Sequence, residues 1–176
     1  MSKPVVYVAG PMTGLEWDDA NDWREKVRVA LPGCEVRSPL RGKAWLQRES
    51  VIESSEYPMP FGSKNAIIKR DHWDVQCADL VIANFEDTAV EYGGREEDEP
   101  GPPIQIASIG TCFELAWAYE FGTPIISIIP EGNIHRHAFI AAASLEIVSD
   151  LKTAISLART LLNLDAHDAA GHAKCC

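Results

Sequence analysis

PVVYVAG, residues 4–10, is apolar at every position before its closing glycine. Such a run reads as a strand buried on both faces, and its place near the chain start suits the centre of a parallel sheet. From Glu16 onward Ala20, Trp23, Val27 and Leu31 recur at helical spacing, Pro32-Gly33 stops that helix, and CEVRSPL offers a second strand. The opening is therefore a βαβ unit.

The alternation continues along the chain. A helix is expected from about Ser63 to Ala78, with Ile67, Ile68, Val75 and Ala78 on its apolar stripe, leading into the strand DLVIANF. A further helix from Thr111 to Phe121 precedes the strand PIISIIP, the loop EGNIHRH and a fifth strand, SLEIVS. Asp150 caps a last helix that turns Leu151, Ile155, Ala158 and Leu162 inward. Five strands alternating with helices predict an α/β fold of the Rossmann-like (flavodoxin-like) type, a doubly wound five-stranded parallel sheet in a three-layer α/β/α sandwich. Ligands bind such sheets beyond the carboxyl ends of the strands, where the strand order reverses. At 176 residues and 46% hydrophobic content the chain reads as a single domain over residues 1–164. Residues 41–63 form an aperiodic excursion with a short helix around AWLQRESVI. Residues 86–107 are an acidic, Gly- and Pro-rich flexible insertion, and 165–176 a frayed tail.

Sixteen basic against 26 acidic residues give a net charge of -10, with no basic stripe to track a phosphate backbone. Nucleic acid polymers are thus not expected partners, whereas a mononucleotide needs only a local pocket. No apolar run is long enough to cross a bilayer. The five cysteines are odd in number, lack C-x-x-C pairing and follow no secretory signal, so the expectation is reduced thiols in a cytoplasm. His135-Arg136-His137 and the tail AHDAAGHAKCC carry ligand residue types without a third ligand of clear spacing, and neither a metal nor a cofactor is expected.

Two carboxylates stand out. Asp71 lies four residues after Ile67 and four before Val75, so it points where the packing face points. Glu114 ends Thr111-Cys112-Phe113-Glu114, a T-x-x-E capping box, and two roles are open to it, cap or catalyst. The small residues Ser108, Gly110 and Thr111 beside it present backbone donors to an anion. Gly10-Pro11-Met12-Thr13-Gly14 is either a tight turn or a ligand loop; it is neither G-x-G-x-x-G nor a P-loop. Trp17, Trp23 and Trp117 read as core or interface aromatics. Glycosidic cleavage uses one carboxylate as nucleophile and a second as acid. A glutamate at a helix start tends to stay ionised and a partly buried aspartate to keep its proton, which predicts Glu114 in the first role and Asp71 in the second.

YVAGPMTG at 7–14, RDHWDVQCADLVIANF at 70–85 and SIGTCFELAWAYEFGTPII at 108–126 resemble, in order, the three signature blocks of the nucleoside 2-deoxyribosyltransferase superfamily. That superfamily includes the transferases and the 2'-deoxynucleoside 5'-phosphate N-hydrolases. The resemblance implies Glu114 as the nucleophile of a deoxyribosyl-enzyme, Asp71 as the acid and Tyr7 as the group that orients the nucleophile. The expected sheet already places Gly10, Pro11, Met12 and Thr13, after the first strand, and Ser108, Gly110 and Thr111 around one pocket as substrate contacts. Ser108 stands where the transferases carry an aspartate and the N-hydrolases a serine that helps hold a 5'-phosphate. The first loop lacks the hydrolases' arginine, and His137, with Arg136 and His135, is expected to supply positive charge. The implied substrates are a nucleoside or nucleotide and a nucleobase, handled by a homodimer or larger homo-oligomer with shared sites. Two other readings stand beside it. A phosphoribohydrolase of the cytokinin-activating type shares G-T-x-x-E but not the preceding P-G-G, and a nucleotide-binding sensor would use Glu114 only as a cap.

Overall fold

A computed structural model describes residues 2–53, 56–60, 62–86, 90–92 and 103–164. The chain runs β1 (Val5–Ala9), α1 (Trp17–Ala30), β2 (Glu35–Arg37), a 3-10 turn (Ala44–Arg48) and α2 (Lys64–Gln76). It continues through β3 (Leu80–Asn84), β4 (Val90–Tyr92), β5 (Pro103–Gln105) and α3 (Ile109–Phe121). β6 (Ile125–Ile128), α4 (Ala138–Ala143), β7 (Glu146–Val148) and α5 (Leu151–Leu161) complete it.

Five strands pair in the order β2-β1-β3-β6-β7, all parallel, as a doubly wound sheet requires. The chain leaves β1 toward β2 on one side and returns to β3 on the other, so the order reverses between β1 and β3. Strand periodicity then divides the side chains between two cores. Val6 and Val8 face α1 and α5, with Trp23, Val27, Leu31, Ala154 and Ala158. Tyr7 and Ala9 face the opposite layer, with Val75, Leu115, Ala118 and Ile140 from α2, α3 and α4. The same alternation that buries β1 on both sides therefore aims Tyr7 at α3.

Helix ends follow their local chemistry. Ser63 caps α2 by accepting from the Ala66 N–H at 3.3 Å, and Asp150 caps α5 by accepting from Thr153 at 2.8 Å. Gly122 ends α3 in the left-handed region, φ 71°, where a residue without Cβ is at no disadvantage. Gly10 is glycine for a different reason. A Cβ there would lie 2.7 Å from Trp23 Cζ2, 3.1 Å from the Asn84 carbonyl oxygen and 3.2 Å from Arg24 Nη2, so α1 packs directly on the end of β1.

The structure departs from the sequence expectation in several respects. Ile68 is more than half exposed, because the packing face of α2 runs through Asp71, Asp74 and Val75. Trp73 is likewise exposed, although the Arg37 guanidinium lies over its ring. Within the acidic insertion β4 and β5 pair antiparallel as a small separate ladder, while 93–102 and the tail 165–176 lie outside the described residues. The loop after β6 also carries a short helix, α4, too brief to show an apolar period. Among the described residues no helix is long and apolar enough to cross a membrane.

Candidate active site

The middle of β1 brings Tyr7 against α3. Its hydroxyl donates to Glu114 Oε1 at 2.5 Å, a contact spanning 107 residues of sequence and closed from solvent. Helix α3 begins at Ile109 with Ser108 as its N-cap, three residues earlier than a Thr111 cap would require. Glu114 consequently sits in the second turn, turned inward with Leu115 and Ala118, and its carboxylate reaches Tyr7. The capping-box reading is thereby overturned: Thr111 is helical and buried, and its hydroxyl lies 2.7 Å from that of Ser108.

Asp71 approaches from α2. His72 sets its edge against Trp117 and Phe121, centroids 5.1 and 5.2 Å away, which holds α2 against α3 one residue from the carboxylate. Asp71 is 5% exposed and accepts from Arg70 Nη2 at 3.2 Å. That same guanidinium donates to the carbonyls of Pro39 at 2.6 Å and Arg41 at 2.8 Å, fastening the loop after β2 to this turn of α2. The fully buried Asp74, one turn further, accepts from Arg41 at 2.7 and 2.8 Å and from Arg37 at 3.4 Å.

Two cations complete the centre, and the sequence reading missed both. Arg24 is 2% exposed, donates to the Gly10 carbonyl at 2.8 Å and to that of Ala20, and its charge acts on Tyr7 and Glu114. A signal was present, since Arg24 lies four residues after Ala20 on the apolar face. Lys43, on the fastened loop, is 3% exposed, and its charge acts on both Asp71 and Glu114. Nothing in its aperiodic surroundings marked it.

Burial dominates the proton affinities. It pushes Glu114 up to about 8, helped by the Asp71 charge and opposed by the Tyr7 hydrogen bond, Arg24 and Lys43. Burial also raises Asp71, against the pull of Lys43 and Arg70, and drives Tyr7 well above an ordinary phenol. Burial thus pushes both carboxyls toward their protonated forms, while Lys43 and Arg70 support the Asp71 charge. A helix-start glutamate is expected to stay ionised, whereas burial here raises the proton affinity of Glu114. Glu114 is past the reach of the helix-start N–H groups.

The other expected contacts divide. Gly10 and Pro11 are buried at the end of β1, Met12 packs into the cluster of Ala20, Leu40, Leu46 and Ile52, and Thr13 and Gly110 are exposed. His137 is exposed; its Nδ1 accepts from the Phe139 N–H, capping α4, and its ring stacks on Phe139. The histidine that reaches α3 is His135. Its Nε2 accepts from the Ser108 N–H at 2.9 Å, so Nδ1 carries the proton and donates to Asn133 Oδ1, also at 2.9 Å. Burial lowers its proton affinity, and stacking on Phe85 at 4.3 Å fixes the ring. His135 thus anchors the start of α3 as a neutral acceptor.

Tyr7, Asp71 and Glu114 are each 7% exposed or less. A cleft of about 380 Å³ lies across the sheet from them, lined by Trp17, Asn21, Arg24, Ser38 and Arg41, and Arg24 is the wall that it shares with the carboxylate centre. A second cavity of about 320 Å³, between α3 and α4, is mainly apolar, and His135 closes one side.

No family model matches the chain, and no curated protein does. Solved structures do. A conserved protein from Enterococcus faecalis V583 superposes with TM-score 0.55 at 14% identity, over 88% of this chain and 96% of that one. The Clostridium botulinum CMP N-glycosidase BcmB gives 0.50 at 18%, over 89% and 98%. A molybdenum cofactor binding protein from Rippkaea orientalis gives 0.55 at 18%, over 92% and 99%. The chain shares its flavodoxin-like fold with all three, and one fold hosting an enzyme and a cofactor binder leaves function to be read from the site.

Proposed function

We propose that this protein is a member of the nucleoside 2-deoxyribosyltransferase superfamily. It cleaves the N-glycosidic bond of a 2'-deoxyribonucleoside or its 5'-monophosphate and passes the deoxyribosyl group to another nucleobase or to water. The observation that carries the reading is the buried Tyr7–Glu114 hydrogen bond beside a second carboxylate, Asp71, at the reversal of the strand order. The fold shared with a CMP N-glycosidase supports it, as do the three sequence blocks.

The reactive form carries one proton shared by the pair. That proton passes from Glu114 to Asp71, leaving a Glu114 carboxylate whose Oε1 is held by Tyr7. The free carboxylate oxygen forms a bond to C1' as the C1'–N bond breaks, and Asp71 returns its proton to the departing base. A covalent deoxyribosyl-Glu114 remains, and Asp71, now ionised, draws a proton from the water or incoming base that releases the sugar. Developing positive charge on the sugar favours the Glu114 anion in a centre closed to solvent, which offsets its raised proton affinity. The Ser108 hydroxyl is the contact offered to a 5'-phosphate. Arg24, beneath Gly10, gives the first loop a cation that its own sequence lacks.

The test is incubation with deoxynucleosides, their 5'-monophosphates and the ribo counterparts, with and without a second free base. Expected are released base or a new nucleoside, preference for the deoxy sugar, and loss of at least about a thousandfold in Glu114→Gln. A variant as active as the wild type, or no base released from any substrate, removes the reading. A purely nucleotide-binding protein would bind members of the panel and turn over none.

A further inference from the structure

The Lys43 side chain is 3% exposed, yet among the described residues its ammonium makes no hydrogen bond or ion pair. Its Nζ is not among the unpartnered atoms sealed from solvent, so the little exposure Lys43 keeps includes the ammonium, which is open to an acceptor from outside the chain. The protein has placed it with care. Its loop is fastened by Arg70 to the carbonyls of Pro39 and Arg41 and by Asp74 to the Arg41 side chain, and Arg70 Nη2 touches Asp71 as well. Lys43 is therefore held on the Asp71 side of the centre. Its charge is the strongest of those supporting the Asp71 anion and the weakest of those acting on Glu114.

We propose that Lys43 is the leaving-group residue: its ammonium donates to the carbonyl oxygen next to the glycosidic nitrogen of a departing pyrimidine. This rests on the reading above, which puts the base on the Asp71 side and the sugar carbon on the Glu114 side. When the C1'–N bond breaks, its electron pair passes to the ring nitrogen and, by conjugation, to the adjacent carbonyl oxygen. That oxygen then carries negative charge, which the ammonium meets while Asp71 delivers a proton to the base. Lys43 neither gains nor loses a proton over the cycle. The site should thus favour bases with a carbonyl beside the glycosidic nitrogen over adenine, whose ring nitrogen at that place bears no exocyclic oxygen.

The experiment is a leaving-group series within one base class: 2'-deoxyuridine 5'-monophosphates carrying 5-methyl, 5-hydrogen, 5-fluoro and 5-nitro substituents, turned over by wild type, Lys43→Met and Lys43→Gln. Lys43→Met should lose about 100- to 1,000-fold on the 5-methyl substrate, as expected for removal of a donor to a developing oxyanion. Its loss on the 5-nitro substrate, whose base departs readily as an anion, should be smaller by about tenfold or more. Lys43→Gln, which keeps a neutral donor, should lie between. Urea unfolding of both variants checks that the fold persists. A loss of equal size across the series, with a common shift of the pH profile, would mean that Lys43 acts only by charge on the carboxylates, and overturns the proposal. So does an unchanged rate, or a wild type that releases adenine in preference to pyrimidines; each of these leaves the proposed reaction standing. Absence of base release by the wild type overturns both.

Discussion

Replacing Glu114 by glutamine should flatten the pH dependence of the protein's stability. The side chain has an ordinary value of 4.5 in an unfolded chain and about 8 in the fold. Between those limits the folded state holds a proton that the unfolded state has released, so unfolding is favoured as pH rises. Stability from the protonated form is fully present below pH 4.5 and is lost by about pH 8. Over that span of about 3.5 pH units, at about 1.4 kcal/mol for each, the loss reaches about 5 kcal/mol; water admitted beside the ionised group reduces it toward about 2 kcal/mol. Glutamine has nearly the same volume and keeps an oxygen for the Tyr7 hydroxyl, but does not titrate. Urea unfolding followed by tryptophan fluorescence at pH 5, 6.5, 8 and 9 measures both proteins. The wild type should lose at least about 2 kcal/mol relative to the variant across that range. Parallel curves would refute the claim that a closed, proton-bearing Glu114 lies at the centre of the fold.

Further outcomes follow from the same geometry. Because the reactive form carries one proton per pair, kcat/KM should be level near neutrality and fall as pH rises through about 8, where Glu114 releases its proton, as a pH–rate profile would read. Tyr7→Phe removes a hydrogen bond that favours the anion, so that alkaline limb should move up by about one pH unit and the plateau fall about tenfold. Asp71→Asn should slow base release by about 100- to 10,000-fold, read in steady-state rates, while its urea midpoint stays close to that of the wild type or rises. Gly10→Ala drives a methyl into Trp23 and the Asn84 carbonyl, and should cost about 1–3 kcal/mol in urea unfolding.

The sheet was legible because its central strands are covered on both faces: PVVYVAG, DLVIANF and PIISIIP are continuous apolar runs that no half-exposed element would carry. Asp71 was legible as a carboxylate inside a packing stripe. The position of Glu114 within α3 was not. A T-x-x-E pattern signals a cap locally, and only the pairing of α3 with Tyr7 and the anchoring of Ser108 by His135 show where that helix begins. The raised proton affinity of Glu114 escaped for the same reason, since it depends on long-range burial and on the Asp71 charge. The β4–β5 pairing was masked by the acidic, Gly- and Pro-rich composition around it. His137 was favoured over His135 because spacing distinguishes neither; the stack on Phe85 and the Asn133 contact do.

Arg70 grips the loop after β2 through peptide oxygens, those of Pro39 and Arg41. Such acceptors are present whatever side chain occupies the position. The loop's residues can therefore be rewritten without undoing this part of its mooring, while the nucleophile's own partners, on β1 and α3, belong to a different part of the scaffold. A library randomised at the exposed positions 44 and 47–51, with Lys43 kept, would explore new recognition chemistry on an unaltered reaction centre, much as interchangeable bits share one drill.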